Sequence, residues 1–413
     1  MKNINILGVN VTAATRNELI SKINEFLSDG RQHRIVTPNP EIILAAKRDE
    51  EYFYIVNSAD LSLPDGVGLK FAAWLLGENL RRFTGADMTL DILILAERYK
   101  LKVAVFNWRH GLSDAAAIKQ AVAARFPDLA LIVVDIEREW VMPYYPEANI
   151  FQPDVVFTCL GAPWQDKFNY HVLAKMPYVK IAAGVGSSFD YHTGKAKRAP
   201  KAFRALGLEW LWRLLKIFTY TDRSGRLKRI INATIVFPVT FLRWRFILPF
   251  LYRPNVAIML YKKEADGYYF LVVERQEEKG HWQLPQGGRE GMDAQSAGLK
   301  ELKEEIGCSR FRPIKTYGSL YNYTYHYAEG EISHRASRSK KHTGYRGVKQ
   351  CLLIAEFLGK DNDIKINYWD HSAWQWVKRE KLLNTVHESR REATAIYLKK
   401  FNELISIKHE TEN

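Results

Sequence analysis

The first 190 residues alternate strand-like apolar runs with stretches of helical spacing. "HRIVTPN" leads into "PEIILAAKRDEEYFYIVNSA", "LKVAVFN" precedes "LSDAAAIKQAVAARF", and "LALIVVDI" follows. "PDVVFTCLG" precedes "WQDKFNYHVLAKM", and "VKIAAGVG" comes next. Parallel neighbours in a sheet need crossover connections, and helices supply them. This pattern therefore predicts an α/β domain, a mainly parallel sheet with helices on both faces. Ligands of such sheets sit at the carboxyl ends of the strands. That places the candidate site on "TPNPE", "PDGVG", "LGAPWQDK" and "GVGSSFD".

At 413 residues the chain is too long for this domain alone. The pattern changes at "LYRPN". After it, "VAIMLYKKEADGYYFLVVER" reads as two strands around an "ADG" turn. An amphipathic helix, three further strands ("YGSLYNYTYHYA", "KQCLLIAEFLG", "AWQWV") and a last helix near Ser389–Ile405 complete an α+β domain. Ser333–Gly347 reads as a polar, basic, mobile loop.

Cys159, Cys308 and Cys351 are few, odd in number and far apart, which excludes a disulfide framework and fits a reducing compartment. No Cys/His spacing suggests zinc, and the first apolar stretch is too short for a signal peptide. The net charge of +14 is concentrated between Lys195 and Arg253, where fourteen Lys/Arg face only Glu209 and Asp222. These cations are interleaved with "LEWLWRLLKIF" and "IVFPVTFLRWRFILPFL". So much Leu, Ile and Phe argues against a nucleic-acid patch and for a segment lying on an anionic membrane. A basic helix packed on its own domain is the plainer alternative. Pro238, Arg243, Arg245 and Pro249 interrupt Ile230–Leu251 and argue against a span.

A Pro-Asp-Gly turn is ordinarily only a turn. Here it belongs to an ordered set: "TPNPE", "ADLSLPDGVG", "RFTGAD", "LGAPWQDK", "GVGSSFDYHTGKAKRAP" and "LGLEWLWRL". The set resembles the WecG/TagA/CpsF family of bacterial glycosyltransferases over about residues 1–230. The resemblance implies a Rossmann-like fold and an inverting transfer, without a metal or other cofactor, from a UDP-sugar to an undecaprenyl-diphosphate-linked acceptor in cell-envelope polysaccharide synthesis. The sugar it implies is of the N-acetylmannosamine type. Asp65 matches the family's proposed base, taking a proton from the acceptor hydroxyl. Thr37 and Asn39 match the polar residues beside it. Gly161, Gly184 and Gly186 allow close approach of a nucleotide diphosphate, and Gln165 is a candidate base or ribose contact. Arg82 and Asp87 read equally as site residues or as an internal ion pair. Arg213 matches an arginine that meets the lipid diphosphate, and Arg223, Arg226 and Arg229 match more loosely. Two departures stand out. "NWRHG" occupies the place of a glycine-rich loop after "KVAVF", and "KIFTYTDRSGRLKR" replaces a Glu-Pro followed by spaced arginines.

In "LPQGGREGMDAQSAGLKELKEEIG", Glu301, Glu304 and Glu305 share one helical stripe, next to the face of Leu299, Leu302 and Ile306. Like charges at this spacing disfavour a helix unless a cation neutralises them, although a solvated acidic face is the commoner origin. Gly287-Gly288 before the helix and Gly307 after it resemble the signature of Nudix hydrolases, over about residues 254–405. The resemblance implies Mg²⁺ or Mn²⁺ on Glu301, Glu304 and Glu305 and cleavage of a nucleoside diphosphate derivative. The signature departs at three points: Asp293 stands for Glu, Lys300 for Arg, and the spacer between them is one residue short. These two residues would take the place of the Glu–Arg pair that braces the loop.

The expected organisation is a transferase domain over 1–205, a basic membrane-associating appendage over 206–253 and a Nudix domain, an αβα sandwich, over 254–408. The expected location is cytoplasmic, peripheral on the inner face of the bacterial plasma membrane. The competing reading is a nucleotide- or RNA 5′-end-binding protein whose Nudix module is degenerate and whose transferase half is a relic.

Overall fold

The computed structural model describes residues 1–139, 145–173, 175–197, 199–200, 203, 211–212, 223–325 and 344–412. The Ser333–Gly347 loop expectation falls largely outside them, as does Arg213. The chain forms two compact units, Met1–Arg243 and Trp244–Asn413. The division falls inside the stretch read as an appendage.

In the first unit, the hairpin β1 (Lys2–Ile6) and β2 (Val9–Ala13) precedes α1 (Arg16–Ser28), which starts in a Thr15/Glu18 capping box. The sheet strands are β3 (His33–Val36), β4 (Leu61–Ser62), β5 (Lys102–Trp108), β6 (Ala130–Ile136), β7 (Val155–Cys159) and β8 (Ile181–Gly184). Their order is β4-β3-β8-β7-β5-β6, and every pairing is parallel. All six carboxyl ends therefore open on one rim. The connecting helices are α2 (Pro40–Ala46), α3 (Glu50–Asn57), α4 (Val67–Leu75), α5 (Gly85–Arg98), α6 (Ala115–Ala123), α7 (Pro146–Phe151), α8 (Trp164–Leu173) and α9 (Ser188–His192).

The single helical stretch expected after "TPN" is two helices. Asp49 breaks it by accepting from the Tyr52 amide and starting α3 anew. Alternation in the strands splits the core. Val103, Val105, Val155, Phe157, Ile181 and Ala183 face α1 and α5, while Ala104, Phe106, Val156 and Ala182 face Phe168 and Val172 of α8.

Helices α10 (Arg223–Ile231) and α11 (Phe237–Phe246) join through a π-helical segment, Asn232–Val236. Phe237 and Phe241 are buried, with Phe237 against Gly68 of α4. Leu227, Ile231, Ile235, Val239 and Leu242 stay exposed. Leu227–Phe250 is long and apolar enough to cross a membrane by length and composition. Pro238 does not break it: it directly follows the π-helical segment Asn232–Val236, the irregular turn where a helix most readily takes a proline.

The second unit is built on β9 (Tyr252–Glu264), β10 (Gly267–Arg275), β11 (Trp282–Gln283), β12 (Gln286–Gly288), β13 (Phe311–Thr324), β14 (Gly347–Phe357) and β15 (His371–Lys378). Central β9 pairs parallel with β14 and antiparallel with β10 and β12. Helix α12 (Ala294–Ile306) covers one face through Ala297, Leu302 and Ile306, packed on Ile258, Leu260 and Leu353. On the other face, α13 (Leu382–Thr385) and α14 (Glu388–Glu412) set Leu382, Tyr397 and Phe401 against Tyr261 and Phe270. The result is the expected αβα sandwich.

Candidate active sites

Hydrogen bonds lace the rim loops of the first unit together. The amides of Leu63 and Asp65 donate to the carbonyls of Val36 and Pro38, each at 2.8 Å, so the β3 and β4 loops continue side by side. Phe83 N–H donates to Pro64 O at 2.9 Å and draws Arg82 to the same place. Arg82 Nε lies 3.8 Å from Asp65 Oδ1, and both side chains are partly exposed at the rim. Asp65 thus keeps access to solvent beside a fixed cation, which suits a carboxylate that must accept a proton and return it.

Thr37 is buried, and its Oγ1 donates to Gly184 O at 3.1 Å, tying β3 to β8. Asn39 caps α2, its Oδ1 accepting from Ile42 N–H at 2.9 Å. Asp87 occupies the first turn of α5, where its amide donates to Thr84 Oγ1 at 3.2 Å. Gln165 is also buried; its Oε1 accepts from Gly186 N–H at 3.0 Å. A Cβ on Gly184 would lie 2.7 Å from Gln165 Nε2 and 2.5 Å from Asp166 Oδ1. Glycine there is what lets both side chains pass. The structure so gathers Thr37, Asn39, Asp65, Arg82, Asp87, Gln165, Gly184 and Gly186 onto adjoining loops. Gly161 starts the β7 loop at φ +74°. Arg223 and Arg226 lie on α10, whose described side chains do not include them. Arg229, on the same helix, pairs with Glu41 at 3.5 Å.

Sequence reasoning passed over two features of this rim. Asp166 is fully enclosed and receives the Tyr52 hydroxyl at 2.7 Å; burial pushes its carboxyl up to about 6. The sequence signal was its place in "WQDK", one residue from Gln165. Trp108 and Trp164 flank Arg138, and nothing in the sequence pairs these three.

In the second unit, α12 carries the glutamates as the wheel predicts, but not equivalently. Glu301 and Glu305 are each 7% exposed. Glu304 is 51% exposed and lies 3.5 Å from Lys300 Nζ. A Cβ on Gly287 would fall 1.8 Å from the Glu301 carboxyl carbon, so only glycine lets β12 close over that carboxylate. Buried carboxylates need compensating charge. Hard oxygen donors held beneath the glycines of β12 fit Mg²⁺ or Mn²⁺.

The bracing pair is not the one the sequence suggested. Asp293 caps α12, accepting from the amides of Gln295 and Ser296 at 2.9 and 3.0 Å. Lys300 reaches Glu290 instead, at 3.0 Å. A spacer one residue short brings Asp293 to the helix start and leaves Glu290 to meet the lysine.

Around this helix lie residues the sequence did not flag. Gln350 Nε2 donates to Asn255 Oδ1 and Gln286 Oε1, and its Oε1 accepts from Tyr397. The guanidinium of Arg253 lies against Gly288. "YRPN" and "LPQGG", the segments that contribute Arg253, Asn255 and Gln286, were the available signal.

Among the described residues, Glu278, His281 and His387 have ligating atoms within 4.8 Å of one another. Their geometry does not suit a cation. The two imidazoles stack at 4.1 Å and 12°, so their in-plane lone pairs cannot converge. Arg275 and Arg390 add positive charge beside them.

Residues 4–247 match the model of the "Glycosyl transferase WecG/TagA/CpsF family", and residues 251–397 match the NUDIX domain. An N-acetylglucosaminyldiphosphoundecaprenol N-acetyl-β-D-mannosaminyltransferase of Bacillus subtilis (strain 168) is 31% identical over 186 residues, 44% of this chain and 70% of that protein. The enzyme of the same name from Staphylococcus aureus (strain MRSA252) is 30% identical over 234 residues, 55% of this chain and 89% of its own. A C. elegans Ap4A hydrolase structure aligns over 37% of this chain and 98% of its own, at 18% identity and a TM-score of 0.27.

Proposed function

Because the chain belongs to the WecG/TagA/CpsF glycosyltransferase family and carries a Nudix domain, we propose a membrane-associated enzyme of cell-envelope polysaccharide synthesis. It transfers an N-acetylmannosamine-type sugar from a UDP donor to an undecaprenyl-diphosphate-linked acceptor. The observation that carries this reading is Asp65, held beside Arg82 on a rim where five loops and the start of α5 converge. Asp65 removes the acceptor hydroxyl proton as the oxygen attacks the anomeric carbon, and the nucleotide diphosphate leaves. Arg82, its Nε 3.8 Å from Oδ1, orients that carboxylate. Thr37 and Gln165 hold the loops that frame the donor.

The protein lies peripherally on the inner face of the bacterial plasma membrane. The basic, apolar stretch that includes Leu227–Phe250 supports this reading, because the acceptor is itself a membrane lipid.

The Nudix domain hydrolyses a nucleoside diphosphate derivative. Glu301 and Glu305, with Glu304 swung from Lys300, would hold Mg²⁺ or Mn²⁺, which supplies charge neutralisation and an acidified water when bound. Arg253 meets the substrate's phosphates at Gly288.

The test is a donor screen on the full-length protein with a synthetic lipid-diphosphate amino sugar, with and without vesicles of anionic lipid. Transfer from a UDP-sugar, stimulated by the vesicles, is the expected result. High, salt-dependent affinity for RNA 5′ ends without transfer would favour the binding-protein reading instead.

A further inference from the structure

Arg138 stands at the carboxyl end of β6, on the same rim as the transfer site. Its Cζ lies 3.6 Å from the centroid of the Trp108 ring and 5.1 Å from that of Trp164. Its Nε donates to Leu160 O at 2.7 Å. These contacts fix the plane of the guanidinium and leave Nη2 facing Gly161, where a Cβ would sit 3.4 Å away.

The charge is poorly compensated. Arg138 is half-buried, burial depresses its pKa, and a second cation, Arg229, depresses it further. Among the described residues no carboxylate pairs with it. A partly desolvated guanidinium without a counterion is costly, and an arriving anion removes the cost. A planar fork held edge-on suits an anion with several oxygens. Helix α8 begins at Trp164, and its positive end lies just beyond Gly161. Trp108 belongs to "NWRHG", the segment that stands where the family's glycine-rich loop would be.

We propose that Arg138, clamped between Trp108 and Trp164, binds the diphosphate of the nucleotide-sugar donor. The inference rests on the transferase reading, but it concerns binding and can be measured without turnover.

The experiment titrates full-length protein in EDTA, which keeps metal off the Nudix domain, with UDP, inorganic pyrophosphate and farnesyl diphosphate. Wild type is compared with Arg138→Ala, Arg138→Lys and, as a control for loss of a nearby exposed charge, Arg109→Ala. Thermal melts verify that each variant is folded. Arg138→Ala is expected to weaken UDP and pyrophosphate at least tenfold and to leave farnesyl diphosphate within twofold. Arg138→Lys should recover only part of the affinity, and Arg109→Ala should match wild type. Equal UDP affinity in wild type and folded Arg138→Ala overturns the proposal, as does failure of the wild type to bind either UDP or pyrophosphate. A loss confined to farnesyl diphosphate overturns the donor assignment and places a lipid diphosphate there instead. Arg138-dependent UDP binding in a protein that transfers no sugar would sink the transferase reading and leave this inference standing.

Discussion

Lys300 Nζ sits 3.0 Å from Glu290 Oε2 and 3.5 Å from Glu304 Oε2, so one lysine divides itself between the loop and a candidate metal ligand. Removing the loop partner should commit the lysine to the ligand. Glu290→Gln is therefore expected to weaken Mn²⁺ binding severalfold, read by titration of the free-ion EPR signal, while Lys300→Ala strengthens it or leaves it unchanged. An unaltered Mn²⁺ affinity in Glu290→Gln would show that Lys300 does not compete with the metal.

The inward glutamates should matter most. Mg²⁺ or Mn²⁺ should raise the melting temperature of the wild type, since a ligand that binds only the folded state stabilises it by RT ln(1 + [L]/Kd). Glu301→Gln and Glu305→Gln should abolish that rise. Gly287→Ala should do the same, because its Cβ would occupy the space of the Glu301 carboxylate. A full metal-dependent rise in Glu301→Gln would place the ion elsewhere.

Asp65→Asn keeps the shape of the β4 loop and removes the base. Sugar transfer to a lipid-diphosphate acceptor should fall by about 10²–10⁴-fold, the usual worth of a positioned proton acceptor, with UDP affinity nearly unchanged. Arg82→Ala, 3.8 Å away, should cost less. Wild-type turnover in Asp65→Asn would remove it from the mechanism.

The two units should respond to pH in opposite directions. Burial raises the Asp166 carboxyl from an ordinary 3.8 to about 6, so between these values the folded state binds more protons than the unfolded one. The first unit therefore loses stability as pH rises from about 4 to 6, by up to about 3 kcal/mol. Burial, with His387 and two arginines, lowers His281 from 6.5 to about 4. There the unfolded state binds the extra proton, and the second unit loses stability as pH falls from about 6.5 to 4. Calorimetry across pH 4 to 8 should resolve both trends, and Asp166→Asn should flatten the first without altering the second.

The sheet and its rim were legible in the sequence because period-two apolar runs and glycine-bearing loops are local signals. Asp65, Thr37 and Gln165 announced themselves through the loops that hold them. The inequality among Glu301, Glu304 and Glu305 was not legible. A helical wheel places three carboxylates on one stripe but does not know that β12 closes over one edge of it. The exchange of Asp293 for Glu290 at Lys300 needed the conformation of a turn in which Glu290 adopts φ +46°. Arg138 was hidden because its two tryptophans come from segments separated by more than fifty residues and meet only when β5, β6 and β7 align.

An all-parallel sheet with every carboxyl end on one rim has a further effect on how such an enzyme diversifies. The proposed proton acceptor, Asp65, hangs from β4 at one end of the strand order, and the Trp108–Arg138 pair hangs from β5 and β6 at the other. Each loop is anchored by its own strand, so either can be rewritten while the opposite end keeps its register. A lineage can change how it holds the nucleotide at one end of the rim while the loop that carries Asp65 keeps its register at the other.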